Sequence, residues 1–296
     1  LPPCGLDMLL KTMVDLQEAK KMLKLLNMEF FRLKKSKCTY VILIIAIVLS
    51  LLNPAMYKLM DTLVTATGSE TEISEMQEEA GGIQLFKSHW TASEMVMQNI
   101  SGLNILLLVA IFTVIFVNGE MKNGYIKNLV GYIYKRRRLV ISNAIVVAVY
   151  TIILMIVGAL VSAGATYLLF DGTTFGDAGE FFGYFGTQSL LHVSFSLLVL
   201  MFTYITRSTA IPMVIGIALS SGIGTLIYGL ATMALQKIAD ISDSFYLGNY
   251  TVTGNIVGVS LNAESSDIIR AVVTAVVFAV VFVTVGCFVT EKRDLK

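Results

Sequence analysis

The segment FVNGEMKNGYIKNLVGYIYKRRRLVISN, from Phe116 to Asn143, gathers the side chains best suited to act on a partner. Glu120, Lys122, Asn123, Gly124, Tyr125 and Lys127 lead into an amphipathic stretch, and the basic block Lys135, Arg136, Arg137 and Arg138 follows it. It is too rich in structural signals for a passive linker. The plain reading of the basic block is a positive-inside anchor; its sharper reading is a helix end that docks a cytoplasmic partner. His192, in QSLLHVSFSLL, is the clear ionisable group at depth in the apolar runs. It could line a substrate path or relay a proton, but no acidic partner stands in the other runs, and a histidine bonded to a neighbouring helix is the plainer expectation. The same scarcity disfavours an ion-coupled pump and an intramembrane hydrolase, which needs a nucleophile with a base or a pair of metal ligands at depth. No G-x-x-x-x-G-K-[ST] phosphate loop occurs, so the chain is not expected to be an ATP-hydrolysing enzyme, and no metal site or catalytic residue is expected.

The elements that must position these residues are apolar helices. Six runs approach the roughly 20 residues that cross a bilayer as a helix: Cys38 to Tyr57, Ile100 to Val117, Leu139 to Val161, Phe185 to Ile205, Ile211 to Leu235 and Ile268 to Thr290. Hydrophobic residues make up 55% of the 296, and the mean hydropathy is +0.75, which excludes a soluble domain around one core. A spanning segment must satisfy its backbone internally, and these runs are far longer than barrel strands. The expected fold is therefore an all-α membrane protein with six transmembrane helices.

Orientation follows from Lys and Arg. With the N-terminus inside, 18 of the 22 basic residues fall on the cytoplasmic side; Lys58, Lys87, Lys237 and Arg270 fall outside. Both termini are thus expected in the cytoplasm. A net charge of +1 describes a basic inner and an acidic outer face, which argues for lipid headgroups and against nucleic acid as a partner. Three scattered cysteines, Cys4, Cys38 and Cys287, suggest neither a disulfide framework nor a zinc site.

Residues 1–21 lack a basic leader followed by an apolar core, so they read as an N-terminal extension with no assigned function, ahead of a natural start at Met22. Residues 22–37 place Leu23, Leu26, Phe30 and Leu33 at helical spacing with lysines on the polar side, an amphipathic helix lying in the inner interface. Phe30, Phe31, Arg32, Lys34 and Lys35 are its candidate contacts. Residues 38–296 form the membrane domain. Its acidic outer loop, 58–99, reads as a solvated face, with cation capture as the sharper alternative. Its inner loop spans 118–138, and an outer re-entrant or surface-lying element spans 236–267. Small residues recur at four-residue spacing at Gly158 and Ser162 in the third run and at Gly216, Ser220 and Gly224 in the fifth, faces on which helix backbones approach closely within one chain or between two. Pro212 suits the first turn of the fifth helix, whereas Pro54 is expected to kink or end the first.

In the order of these elements the chain resembles the permease subunit of bacterial ATP-binding-cassette exporters of the type-2 family. The resemblance covers residues 22–296 and rests on the basic amphipathic first helix, six spans, Phe116, Glu120 and Gly124 in the inner loop, Arg138 at the third span, and the ending FVTEKRDLK. The family's lysine just inside the third span is replaced by Ser142 or Asn143. The resemblance implies a bacterial plasma-membrane protein and two permease chains, identical or related, on two copies of a separate cytoplasmic ATPase. That partner would bind ATP and Mg, and this chain no cofactor. Glu120 to about Gly131 would be the coupling helix seated in the ATPase. Small permeases of this look export peptides or protect against antimicrobial peptides, which sets the expected substrate class. A membrane sensor or scaffold on the same frame is the rival reading, and an ion-coupled transporter a weaker one.

Overall fold

A computed structural model describes residues 5–67, 90–102, 104–122, 137–239 and 245–292, and every regular element among them is helical. In chain order these are α1 (Gly5–Lys35), α2 (Lys37–Thr67), α3 (Ala92–Ser101), α4 (Asn104–Lys122), α5 (Arg137–Leu169), α6 (Ala178–Thr206), α7 (Ala210–Ser220), α8 (Ile223–Ala239), a 3₁₀ turn (Leu247–Tyr250), α9 (Val252–Gly258) and α10 (Ser265–Lys292). Four helices are individually long and apolar enough to cross a membrane: α2, α5, α6 and α10. The pairs α3 with α4 and α7 with α8 pass that test only together, bent by 46° and 71°, so the number of spans is four to six.

Local sequence accounts for the breaks. Thr91 caps α3 with a full capping box: its hydroxyl accepts from the Glu94 amide at 3.3 Å, and the Glu94 carboxylate accepts from the Thr91 amide at 3.1 Å. Gly102 closes α3, where its amide donates to the Gln98 carbonyl at 3.0 Å. The second expected run, Ile100 to Val117, is therefore interrupted near its start, and helix already forms upstream of it, from Ala92. Between α7 and α8 stands Gly222 at φ +82°, a left-handed backbone that glycine adopts without cost. Ile211 to Leu235 is accordingly a broken span or a re-entrant loop instead of one straight helix. Pro54 neither ends nor interrupts α2, which continues to Thr67. Neighbouring helices can support a proline-weakened turn in a membrane bundle. The residue four before the proline, Ser50, is itself held from α3 by the Asn99 amide at 3.0 Å.

The core lies between α4, α5 and α6. Phe112 stacks on Tyr150 with ring centroids 3.8 Å apart, and the Tyr150 hydroxyl donates to the Thr39 carbonyl at 2.7 Å, fixing α5 to the start of α2. α6 packs on α10, α4, α5, α7 and α9. Outward rows such as Val41, Ile44, Val48 and Leu52 on α2 and Val273, Val276, Val277 and Val280 on α10 are exposed, as expected where lipid is the solvent. α1 runs well ahead of the expected 22–37 helix and stops at Lys35, with the Ser36 amide donating to the Arg32 carbonyl.

Candidate functional site

The last turns of α1 carry Glu29 and Arg32 three residues apart, a spacing that places them on one face. That face meets the end of α4. Arg32 Nη1 pairs with Glu120 Oε1, and Arg32 Nη2 lies 3.0 Å from Glu29 Oε2 and 3.4 Å from Asn143 Oδ1. Its guanidinium also covers the Phe116 ring, 3.9 Å from the centroid. Asn143 Nδ2 donates to Glu120 Oε2 and to the Tyr204 hydroxyl, each at 2.7 Å. One network thereby joins α1, α4, α5 and α6.

Burial raises the stakes of this network. The Glu29 and Glu120 side chains are inaccessible, while that of Arg32 keeps 23% exposure. A buried carboxylate is costly unless paired and hydrogen-bonded, and here two carboxyls share one guanidinium. Burial pushes the Glu29 carboxyl above the ordinary range, against the Arg32 charge and a hydrogen bond with Glu120, both of which pull it down. The arrangement holds no nucleophile with a base, and among the described residues no group of three metal-ligating side chains occurs. What it can do is mechanical: a displacement of the α4 end is felt directly by α1, α5 and α6.

The structure sorts the sequence candidates. Glu120 is the hub of the network. α4 ends at Lys122, and Asn123, Gly124, Tyr125 and Lys127 lie outside the described residues. Arg138, half-buried, stands in the first turn of α5, ahead of Asn143 on the same helix. The five α1 candidates do not share one role. Arg32 points into the bundle and Phe30 packs against its core, whereas Phe31, Lys34 and Lys35 are exposed, with Lys35 Nζ 5.7 Å above the Phe31 ring. His192 is fully buried; its Nδ1 lies 2.8 Å from the Gln188 carbonyl of the preceding turn. A carbonyl only accepts, so Nδ1 carries the proton. Nε2 has no hydrogen-bond partner among the described residues.

The small residues pack within the chain. A methyl on Gly216 would stand 2.8 Å from the Ala110 methyl of α4, and one on Gly158 would stand 2.8 Å from the tip of Ile105 and 3.5 Å from Asn99. Ser162 donates to the Met95 carbonyl at 3.4 Å, Ser220 is buried, and Gly224 lies near Thr253. The segment that carries the 3₁₀ turn and α9 docks through Gln188, whose amide donates to the Ile256 carbonyl at 3.0 Å, and through the hydroxyls of Tyr228 and Thr253, 2.7 Å apart.

Sequence reasoning missed Glu29, Asn143 and Tyr204 as members of the network. Glu29 had a signal: an acid in a basic helix with Arg32 one turn on. Asn143 entered only as a departure from a family lysine, and Tyr204 left no mark in the pattern. A family model described as ABC-2 family transporter protein matches residues 25–224, which includes all members of the network. No curated protein matches the chain.

Proposed function

Since the chain belongs to the ABC-2 family of transporter proteins and is the membrane permease subunit of an ABC transporter, we propose that it expels an amphipathic substrate, a peptide or antimicrobial peptide, using a separate cytoplasmic ATPase. Two permease chains, identical or related, sit on two ATPase copies that bind ATP and Mg; the chain itself needs no cofactor. It resides in a bacterial plasma membrane with both termini inside, α1 lies along the inner interface among lipid headgroups, and nucleic acid is not a partner.

The observation that carries this reading is the buried Arg32 to Glu120 link, which joins the interface helix to the residue from which the inner loop departs. ATPase closure displaces that loop; the link passes the displacement to α1, and Asn143 and Tyr204 pass it to α5 and α6. The helices then shift between two packings, driven by the difference in ATP affinity between them.

The test is purification from native membrane in mild detergent, with mass spectrometry of what stays bound and an ATPase assay. The expected result is a co-purifying cassette ATPase whose turnover, measured with the permease bound, falls on Glu120→Ala. Recovery without any ATPase, or turnover indifferent to Glu120→Ala, overturns the reading.

A further inference from the structure

At the end of the bundle remote from Arg32, the structure holds a second set of charged and aromatic side chains that the coupling network does not use. α2, the loop 171–175 and the residues leading into α3 enclose a cleft of about 210 Å³, whose lining includes Lys58, Asp61, Trp90, Phe170, Asp171 and Thr173. Its walls are tied together. The Ala92 amide donates to the Thr174 carbonyl at 2.9 Å and the Ser93 amide to the Phe175 carbonyl at 3.1 Å. Trp90 and Phe170 are buried with Met95 beneath them, and the Tyr57 ring lies against Trp90 at 4.9 Å.

The depth of this cleft is set by α2. From Cys38 the helix rises about 1.5 Å per residue, so Lys58 stands roughly 30 Å along it, one hydrocarbon thickness from the Arg32 end. Lys58 and the aromatic wall therefore lie at headgroup level, where Trp and Tyr gather. Below them the exposed apolar row of α2, including Val48, Leu52 and Met56, leads from the cleft into the hydrocarbon.

The charges select the occupant. Lys58 Nζ lies 3.3 Å from Asp61 Oδ2 and 5.2 Å from the Phe170 ring centroid, which leaves ammonium donors for an added acceptor. Asp171 is exposed and makes no ion pair among the described residues. Among the described lining residues one cation, Lys58, stands with two carboxylates, Asp61 and Asp171, a wall that disfavours a purely anionic headgroup and suits a ligand that carries both signs. The volume is below the range of drug-sized pockets and matches a small polar group.

We propose that this cleft binds the headgroup of a zwitterionic phospholipid, with the phosphate on Lys58 and the ammonium on Asp171, the acyl chains lying along α2. The site is a lipid contact of its own, independent of ATPase coupling and of which leaflet it faces.

The test uses the full chain reconstituted in vesicles of equal phosphatidylethanolamine and phosphatidylglycerol, extracted in mild detergent, with retained lipids identified by native mass spectrometry. Wild type should retain phosphatidylethanolamine over phosphatidylglycerol by roughly five- to tenfold, the range one charge-assisted contact supplies. Asp171→Asn should return the ratio toward the bulk value, Lys58→Gln, which removes the contact to the phosphate that both lipids share, should lower the total lipid retained, and Lys237→Gln, an exposed cation outside the cleft lining, should leave both unchanged. Asp171 is exposed, so its variant keeps the test valid if Lys58→Gln fails to fold. A wild-type ratio equal to the bulk, enrichment of phosphatidylglycerol, a ratio that ignores Asp171→Asn, or lipid retention that ignores Lys58→Gln overturns the proposal.

Discussion

Polar side chains in the middle of the bundle and those at its Arg32 end are satisfied in opposite ways. At depth, the hydroxyls of Thr113, Thr151 and Thr203 donate to carbonyls four residues back in their own helices, at 2.8 to 2.9 Å, and His192 does the same through Nδ1. These four bonds close within single helices and do not resist one helix moving past another, whereas Asn99, Ser162 and Gln188 bond across helices at other points of the bundle. At the Arg32 end the links run between helices: Glu29, Arg32, Glu120, Asn143 and Tyr204 come from four helices and pair with one another. Charge is tolerated where several elements converge on it, and convergence makes that end the place where motion is shared.

The largest break in this comparison should come from Arg32→Ala, which leaves Glu29 and Glu120 buried without a cation. Losing one partner of a buried ion pair costs about 3–5 kcal/mol. Thermal unfolding in detergent should show a lowered midpoint, and Arg32→Lys, which keeps charge but loses the planar fork, should fall between. A wild-type midpoint for Arg32→Ala would collapse the contrast between the two regions.

Next in size is packing in the apolar part. Gly216→Ala drives a methyl onto Ala110, a neighbour attached directly to backbone, and overpacking of this kind costs about 1–3 kcal/mol. Gly158→Ala meets chiefly the movable tip of Ile105 and should cost less, although Asn99 and Ser50 lie close by. Paired melting curves would check this order, and equal costs would show that both interfaces yield alike.

The pH dependence is a third probe. Burial raises the Glu29 carboxyl above its unfolded value, so its contribution to stability is fully present below the unfolded pKa and is lost as pH rises through the folded one. Glu29→Gln should flatten that part of the midpoint-against-pH curve. A slope surviving in the Gln variant would place the titration elsewhere.

The smallest expected effect is Thr203→Val in α6. Its hydroxyl bonds only within its own helix, and removal should shift stability by about 0.6 kcal/mol or less. ATPase turnover of the complex should stay at the wild-type rate. A loss of turnover here would mean that the mid-bundle bonds also carry coupling.

Much of the frame was legible because the bilayer imposes a single strong rule. Long apolar runs must be helical, and the runs beginning near Cys38, Leu139, Phe185 and Ile268 all fall within helices that can span alone. Glu120 stood out within the polar segment after the second run, but nothing local paired it with Arg32 or Asn143. The bend at Gly102 was not legible, since one glycine in an apolar window leaves the hydropathy almost unaltered. The bend at Gly222 depends on a left-handed backbone that composition does not announce. Pro54 carried a breaking signal that α2 overrode, and the spacing of Phe30 to Lys35 could not say which side chain turned inward.

The amino-acid sequence by itself determined an all-helical membrane protein, the clustering of its basic residues between the apolar runs and the absence of a phosphate loop. These are properties of composition, period and motif, each readable within a short window. Only the tertiary structure decided that Glu29 and Arg32 meet Glu120, that a lone asparagine on α5 bridges them to Tyr204, and that Lys58 and Asp171 line one cleft. Those partners lie tens to more than a hundred residues apart. Which of many buried or exposed polar groups become neighbours depends on helix rotation and crossing, set by close packing at Gly158 and Gly216 and not by any local pattern.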